Sequence, residues 1–362
     1  MQDNKAKQWR TLIIINIVLA VVALGGIVYL LTRPSGTVNT DNTNSQLTTS
    51  GTPTVINKTD PLIPAMDYNP DVSYKFTLAN LPRIDGSTSN VPLRSFIICE
   101  LLGYPCEWQQ YSEEGSIIIE RYVDIKTNDS NLEAIRKKSV NSTTHNAYVK
   151  LINGDTDIIF VATLPSIDEQ NLIKEKNVEL EIKPIAMDAF VFIDNKSNPV
   201  NNLTTQQVLD IYTGKITNWK DVNGRNAKLN AYHREDNSGS QELMRTLVLK
   251  GTKPIAAPDS IISGMIGLIN RVANDTEGLG YSVYYYEQFM VKNTNLKLLS
   301  INGVYPSYNS LADESYPLAS PVYIVTKKGM DVNSATYKLS QWLFTKDGQK
   351  TVRDSGYVPA IK

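Results

Sequence analysis

The chain has 362 residues and a formal net charge of −1, with 41% hydrophobic and 20% charged residues. That length and balance suit two domains or one large bilobal unit with a sizeable core. A near-neutral chain argues against a nucleic-acid partner, whose phosphates call for a basic face. Two cysteines, Cys99 and Cys106, stand in FIICELLGYPCEW without a CxxC pattern, which argues against zinc, iron–sulfur and thiol-redox sites. They are either one disulfide closing a short loop outside the cytoplasm or two buried thiols.

Residues 12–31 read LIIINIVLAVVALGGIVYLL, uncharged and with one amide, Asn16. About 20 apolar residues at helical rise span the hydrocarbon core of a bilayer. Lys5, Lys7 and Arg10 precede this stretch, and after Arg33 no basic residue follows until Lys58. The expectation is an uncleaved transmembrane signal-anchor, with residues 1–11 in the cytoplasm and the remainder outside the cell membrane. A cleaved signal peptide would have a shorter apolar core and a small-x-small site, whereas Tyr-Leu-Leu-Thr-Arg-Pro ends this one. No cysteine closes the span, which excludes a lipid-modified anchor. Residues 32–70 are polar and rich in Thr, Asn, Ser and Gly, the composition of a flexible linker. The globular part begins near Asp71.

From there strands and helices alternate. Strands are expected at 116–122, 157–162 (DIIFVA), 178–182, 189–193 (AFVFI), 229–233, 279–286 and 321–327. Helices are expected at 93–102, 147–153, 168–176, 204–213, 240–249, 265–274 and 334–345, with Thr204 as an N-cap and Gly154 and Gly214 at helix ends. Short buried strands alternating with helices indicate an α/β fold whose ligands bind at the carboxyl edges of the strands.

Three segments carry chemistry. In NAYHREDNSGSQE a strand runs into a turn with Arg234, then Ser238, Gly239 and Ser240, then a helix. A helix N-terminus offers unpaired N–H groups and partial positive charge, glycine lets a ligand approach the backbone, and the arginine fork meets two oxygens of a tetrahedral oxyanion. The alternative is that Ser238 only caps the helix and Arg234 pairs with a carboxylate. In PRIDGSTSNVP, Asp85, Gly86, Ser87 and Thr88 place a turn and two hydroxyls ahead of the helix at 93–102. Ser142, Thr143 and Thr144 do the same ahead of 147–153. Capping alone is the competing role for both. The two histidines, His145 and His233, lack metal-ligand spacing, and no GxSxG elbow accompanies Ser238, so neither a metal nor catalysis is expected. The tyrosines at 281 and 284–286 read as strand packing.

LPRIDGST, THNAYVKLINGDTDIIFVATLPS, IYTGKITNWKDVNG, REDNSGSQE, EGLGYSVYYY, YPLASPVYIVT and FTKDGQKTVRDSGYVPA occur in this order. Together they resemble the phosphate-binding proteins of the phosphate ABC importer, in the type II periplasmic-binding-protein superfamily, over about residues 75–362. The resemblance implies a bilobal Venus-flytrap: two mixed, mainly parallel sheets joined by two crossover strands, one ligand between the lobes, and no cofactor. Crossovers near 181–188 and 316–321 make lobe one 71–184 plus 318–362, and lobe two 185–317. By the same resemblance, Ser87, Thr88 and Thr143 or Thr144 hold the oxyanion from lobe one. Arg234, Ser238, Gly239 and Ser240 hold it from lobe two, and an ABC importer permease is the partner. The family's aspartate after the DIIFVA strand is missing, because 162–166 read ATLPS. Asp85 is therefore the acid expected to receive the ligand's proton. Two other functions suit the same fold: a membrane-anchored phosphate sensor, and a scaffold or adhesive ectodomain without ligand.

Overall fold

The computed structural model describes residues 74–112, 118–255 and 258–360. The expected cytoplasmic tail 1–11, span 12–31 and linker 32–70 lie outside the described residues. No helix among the described residues is long and apolar enough to cross a membrane.

The central element is one strand, Leu180–Asn195, 16 residues long. The pattern reads strands at 178–182 and 189–193, and the resemblance sets a crossover strand near 181–188 between them, in a stretch that holds a proline, KPIAM. A proline has no N–H for a ladder and is tolerated at bulges. Here the ladder with Ala319–Lys327 shifts register between Val322 and Tyr323, so that Tyr323 faces Pro184, Val322 faces Ala186 and Ile185 is left over. The Ile185 carbonyl accepts instead from the Ala360 N–H at 3.2 Å and the Gln349 side chain at 3.3 Å. The strand therefore passes through the proline without a break.

Around it, eight described strands form one sheet. Ile84–Gly86, Ile158–Val161 and Ala319–Lys327 lie on one side of Leu180–Asn195, and Gly278–Val283 and Asn230–Ala231 on the other. The expected mixed pairing is present, but two sheets of mainly parallel strands need correction: the strands around Leu180–Asn195 form one continuous sheet, and seven of the eleven described strand pairs are antiparallel. The long central strand accounts for this, since Ala319–Lys327, Gly278–Val283, Leu296–Leu298 and Val358–Pro359 all return antiparallel against it. Parallel pairing survives between Ile84–Gly86 and Ile158–Val161, and between Asn230–Ala231 and Gly278–Val283.

Each part of the sheet has its own core. Phe190, Phe192, Tyr212, Trp219 and Tyr281 pack in one. Ile97, Ile158, Phe160, Val322 and Leu343 pack in another, while Ile159 and Val161 turn to a third with Tyr148 and Leu151. Successive strand residues face opposite sides, so the apolar run IIFV means that both faces of this strand are covered. Each such side chain contributes roughly 1.5–3 kcal/mol on burial.

A hairpin of Cys106–Tyr111 and Ile118–Ile125 was half legible, as the single strand 116–122. Its second strand also pairs antiparallel with Val291–Asn293, far along the chain. Trp108 of the hairpin stacks on Phe289 at 6.5 Å between ring centroids. Cys106 is disulfide-bonded to Cys99 of the helix Val91–Leu102, which decides between the two cysteine readings. Closing so short a loop contributes about 2–3 kcal/mol in the chain-entropy account.

Asp188 lies opposite Ser320, where the two cores adjoin. Its Oδ1 accepts the N–H groups of Ala189 at 2.8 Å and Tyr285 at 2.9 Å. Its Oδ2 has no hydrogen-bond partner. Burial pushes this carboxyl up to about 7, against which the two N–H bonds act only in part. An unfolded aspartate ionises near pH ~3.9, so above that pH the folded state holds a proton that the unfolded state has lost. Stability from this group therefore falls as pH rises from about 4 towards 7, then levels off, with a limiting slope of about 1.4 kcal/mol per pH unit. Asp188→Asn keeps the acceptor oxygen and removes the titration. Denaturant unfolding at a series of pH values should show the variant gaining on the native chain between about pH 5 and 7.

Candidate functional site

A cleft of about 270 Å³ gathers residues from all three flagged segments. The first reaches it through the strand Ile84–Gly86, which runs parallel to Ile158–Val161. A Cβ on Gly86 would stand 2.1 Å from the Phe160 carbonyl oxygen, so only glycine lets the two backbones approach this closely. The Ser87 N–H donates to that same oxygen at 2.9 Å, which sets the seryl side chain at the cleft. Ser87 Oγ lies 2.8 Å from Thr144 Oγ1 and accepts from the Ala162 N–H at 3.4 Å.

Thr143 and Thr144 open the helix Thr143–Asn153, four residues earlier than the sequence pattern suggests. Thr143 has φ +70°, a conformation rare for a β-branched residue. Such outliers persist where the surroundings over-determine them. Here Asp85 supplies the constraint: its Oδ1 accepts the Ser142 N–H at 2.8 Å and its own neighbour's, Gly86, at 2.7 Å, while Oδ2 faces Lys150 Nζ at 3.5 Å. Buried Arg94 holds the same loop through the Val140 carbonyl and Asn141 Oδ1. Burial lowers its guanidinium to about 10, with the Asp85 charge opposing that.

The third segment comes from the strand His233–Arg234 and the helix Gly239–Leu243, which continues as a π turn through Met244–Leu249. Ser238 is the N-cap, its Oγ accepting from the Gln241 N–H at 3.2 Å. Gly239 meets Thr144 across the cleft, since a Cβ there would lie 2.4 Å from Thr144 Oγ1. Arg234 is 6% exposed. Its backbone N–H donates to Tyr281 OH at 2.7 Å, and that hydroxyl donates to Gln241. Its side chain grips Glu235 with two bonds, Nε to Oε2 at 3.0 Å and Nη2 to Oε1 at 2.9 Å.

Ser87, Thr88, Thr143, Thr144, Arg234, Ser238, Gly239 and Ser240 line the cleft together. Asp85 and Gly86 do not; they stand behind it, Asp85 fully buried with Oδ1 taken by the Ser142 and Gly86 N–H groups and Oδ2 left with the Lys150 ammonium 3.5 Å away. The acid that lines the cleft is Glu235. Burial favours its neutral form, but hydrogen bonds and charge from Arg234 outweigh this and hold its carboxyl below the ordinary value. Arg234 and Glu235 are the charged residues of the lining. Glu235 and Tyr281 were not read from the sequence as site residues. Tyr281 sits in an apolar strand, and the clue it carried was that a buried hydroxyl needs a partner.

A model of the PBP superfamily domain matches residues 127–347. The phosphate-binding protein PstS of Staphylococcus epidermidis is 29% identical over 222 residues, 59% of this chain and 67% of that protein. Among solved structures, a putative phosphate ABC transporter substrate-binding protein with bound phosphate from Clostridium perfringens aligns with TM-score 0.54 and 21% identity, over 76% of this chain and 98% of the other. An ABC-type phosphate transport receptor from Vibrio cholerae aligns with TM-score 0.53 and 20% identity, over 76% and 98%. At these identities the structural likeness concerns the fold.

Proposed function

The chain belongs to the PBP superfamily, and on that footing we propose that it captures phosphate, or a similar tetrahedral oxyanion, between two lobes and delivers it to an ABC importer. The observation that carries this reading is the convergence of hydroxyls and a helix N-terminus from distant segments on one cleft beside a buried arginine. Ser87, Thr88, Thr143 and Thr144 bind first, from the lobe of residues 71–184 plus 318–362. Arg234, Ser238, Gly239 and Ser240 close from the lobe of residues 185–317. Closure expels water and strengthens each charge-assisted bond, and the ligand biases the open–closed equilibrium by binding the closed form better. The crossovers near 181–188 and 316–321 carry the hinge; the long strand Leu180–Asn195 and the start of Ala319–Lys327 support this reading. The chain is tethered by residues 12–31 as a single-pass membrane protein with its binding domain outside. Its relatives bear the names of phosphate-binding and transport proteins, and no turnover belongs to this function.

Glu235 takes the role that the sequence had assigned to Asp85. Hydrogen phosphate carries a proton that an ionised carboxylate accepts, whereas sulfate carries none and is repelled. The test is calorimetric titration of the full chain in mild detergent with phosphate and with sulfate, after exhaustive dialysis. Micromolar or tighter phosphate binding without sulfate binding is the expected result. Binding of neither would sink the oxyanion reading.

A further inference from the structure

The cleft is larger than a bare oxyanion fills. Its 270 Å³ or so is many times the roughly 10–15 Å³ that a single water needs on the same measure. That volume is close to the lower end of sites that enclose small organic ligands. Thr144 and Gly239 approach each other at one point across the cleft, which elsewhere opens to solvent.

The lining divides by chemistry. Hydroxyls and N–H groups serve an oxyanion. Leu243, Met265 and Val283 also line the cleft, and an inorganic anion has no apolar atom for them to cover. Gly264, also of the lining, leaves room: a Cβ built on it meets nothing within 4 Å. The Gly264 N–H donates to Glu235 Oε1 at 3.4 Å. With Arg234 and Gly264 bound, the Glu235 carboxylate still has lone pairs to accept a further donor. Arg234 and Glu235 also offset each other's charge, so a ligand that brings its own donor or cation suits the cleft better than a bare dianion.

We propose that the cleft takes an organophosphorus oxyanion: a phosphonate or phosphate monoester whose short substituent lies against Leu243, Met265 and Val283 and ends in a hydroxyl or ammonium group accepted by Glu235. This rests on the oxyanion reading of the same site. The test is calorimetric titration of the full chain in mild detergent, dialysed free of phosphate, with inorganic phosphate, methylphosphonate and aminoethylphosphonate. Aminoethylphosphonate should displace inorganic phosphate from one shared site and bind at least about tenfold more tightly than methylphosphonate. Met265→Trp, which fills the apolar part, should lower the ratio of aminoethylphosphonate to inorganic phosphate affinity by at least about tenfold. Binding of inorganic phosphate without either phosphonate overturns the inference and leaves the oxyanion reading standing. An unchanged ratio in Met265→Trp also overturns it, because the substituent then lies elsewhere. Binding of none of the three overturns both.

Discussion

Replacing Arg234 with alanine should weaken phosphate binding by more than about tenfold, because a hydrogen bond to a charged partner is worth about 1.5–3 kcal/mol. Two features push the loss towards the upper end of that range. Arg234 is buried, so its charge is poorly screened by solvent. It also holds Glu235 by two bonds, and its removal leaves that carboxylate facing the anion. The double variant Arg234→Ala with Glu235→Gln should therefore recover part of the affinity lost by Arg234→Ala alone. Titration calorimetry of the native chain and the two variants measures both effects. Unchanged affinity in Arg234→Ala would place the ligand elsewhere, and no recovery in the double variant would mean that losing Glu235 as acceptor of the ligand's proton costs as much as removing its unpaired charge gains.

Gly86→Ala should destabilise the fold by about 3 kcal/mol or more. The added methyl meets a backbone oxygen, that of Phe160, at 2.1 Å. A flexible side-chain end would swing aside, but this oxygen belongs to a strand buried on both faces. The strands Ile84–Gly86 and Ile158–Val161 must separate, and the bond from Ser87 N–H to Phe160 is lost with them. Denaturant unfolding should show a lower midpoint. Phosphate titration under native conditions should show weaker binding as well, since Ser87 is placed by that bond. A variant as stable as the native chain would show that the two strands have more freedom than their spacing implies.

The difference between these two sites shows what was legible. Gly86 was flagged as a turn glycine beside a ligand; its actual constraint is a neighbouring strand from 74 residues further on, which local pattern does not reveal. Arg234 was flagged for its fork, and the competing reading was that it pairs with a carboxylate. Both descriptions apply, because Glu235 pairs with it inside the same cleft. Asp85 was chosen as the ligand's acid from its place in a hydroxyl loop. The structure sets it behind the cleft, its Oδ1 accepting from Ser142 and its Oδ2 beside Lys150, and the strained conformation at Thr143 follows in that same loop.

Most of the alternating strands and helices, the N-cap at Thr204, the helix end at Gly154 and the hydroxyl-rich helix starts were determined by the sequence alone, whereas the strand expected at 279–286 ends at Val283 and turns helical at Tyr284. Each is local: a cap bonds within three residues, and an apolar run reports burial wherever it lies. Tertiary structure decided the rest. The register shift that carries Leu180–Asn195 past Pro184 lies in a partner strand, and Cys106–Tyr111 and Ile118–Ile125 gain Val291–Asn293 as a third strand. Glu235 became the acid of the cleft because folding carried Asp85 behind it. Pairing register and burial depend on which distant segments meet, and that information resides in no single stretch of the chain.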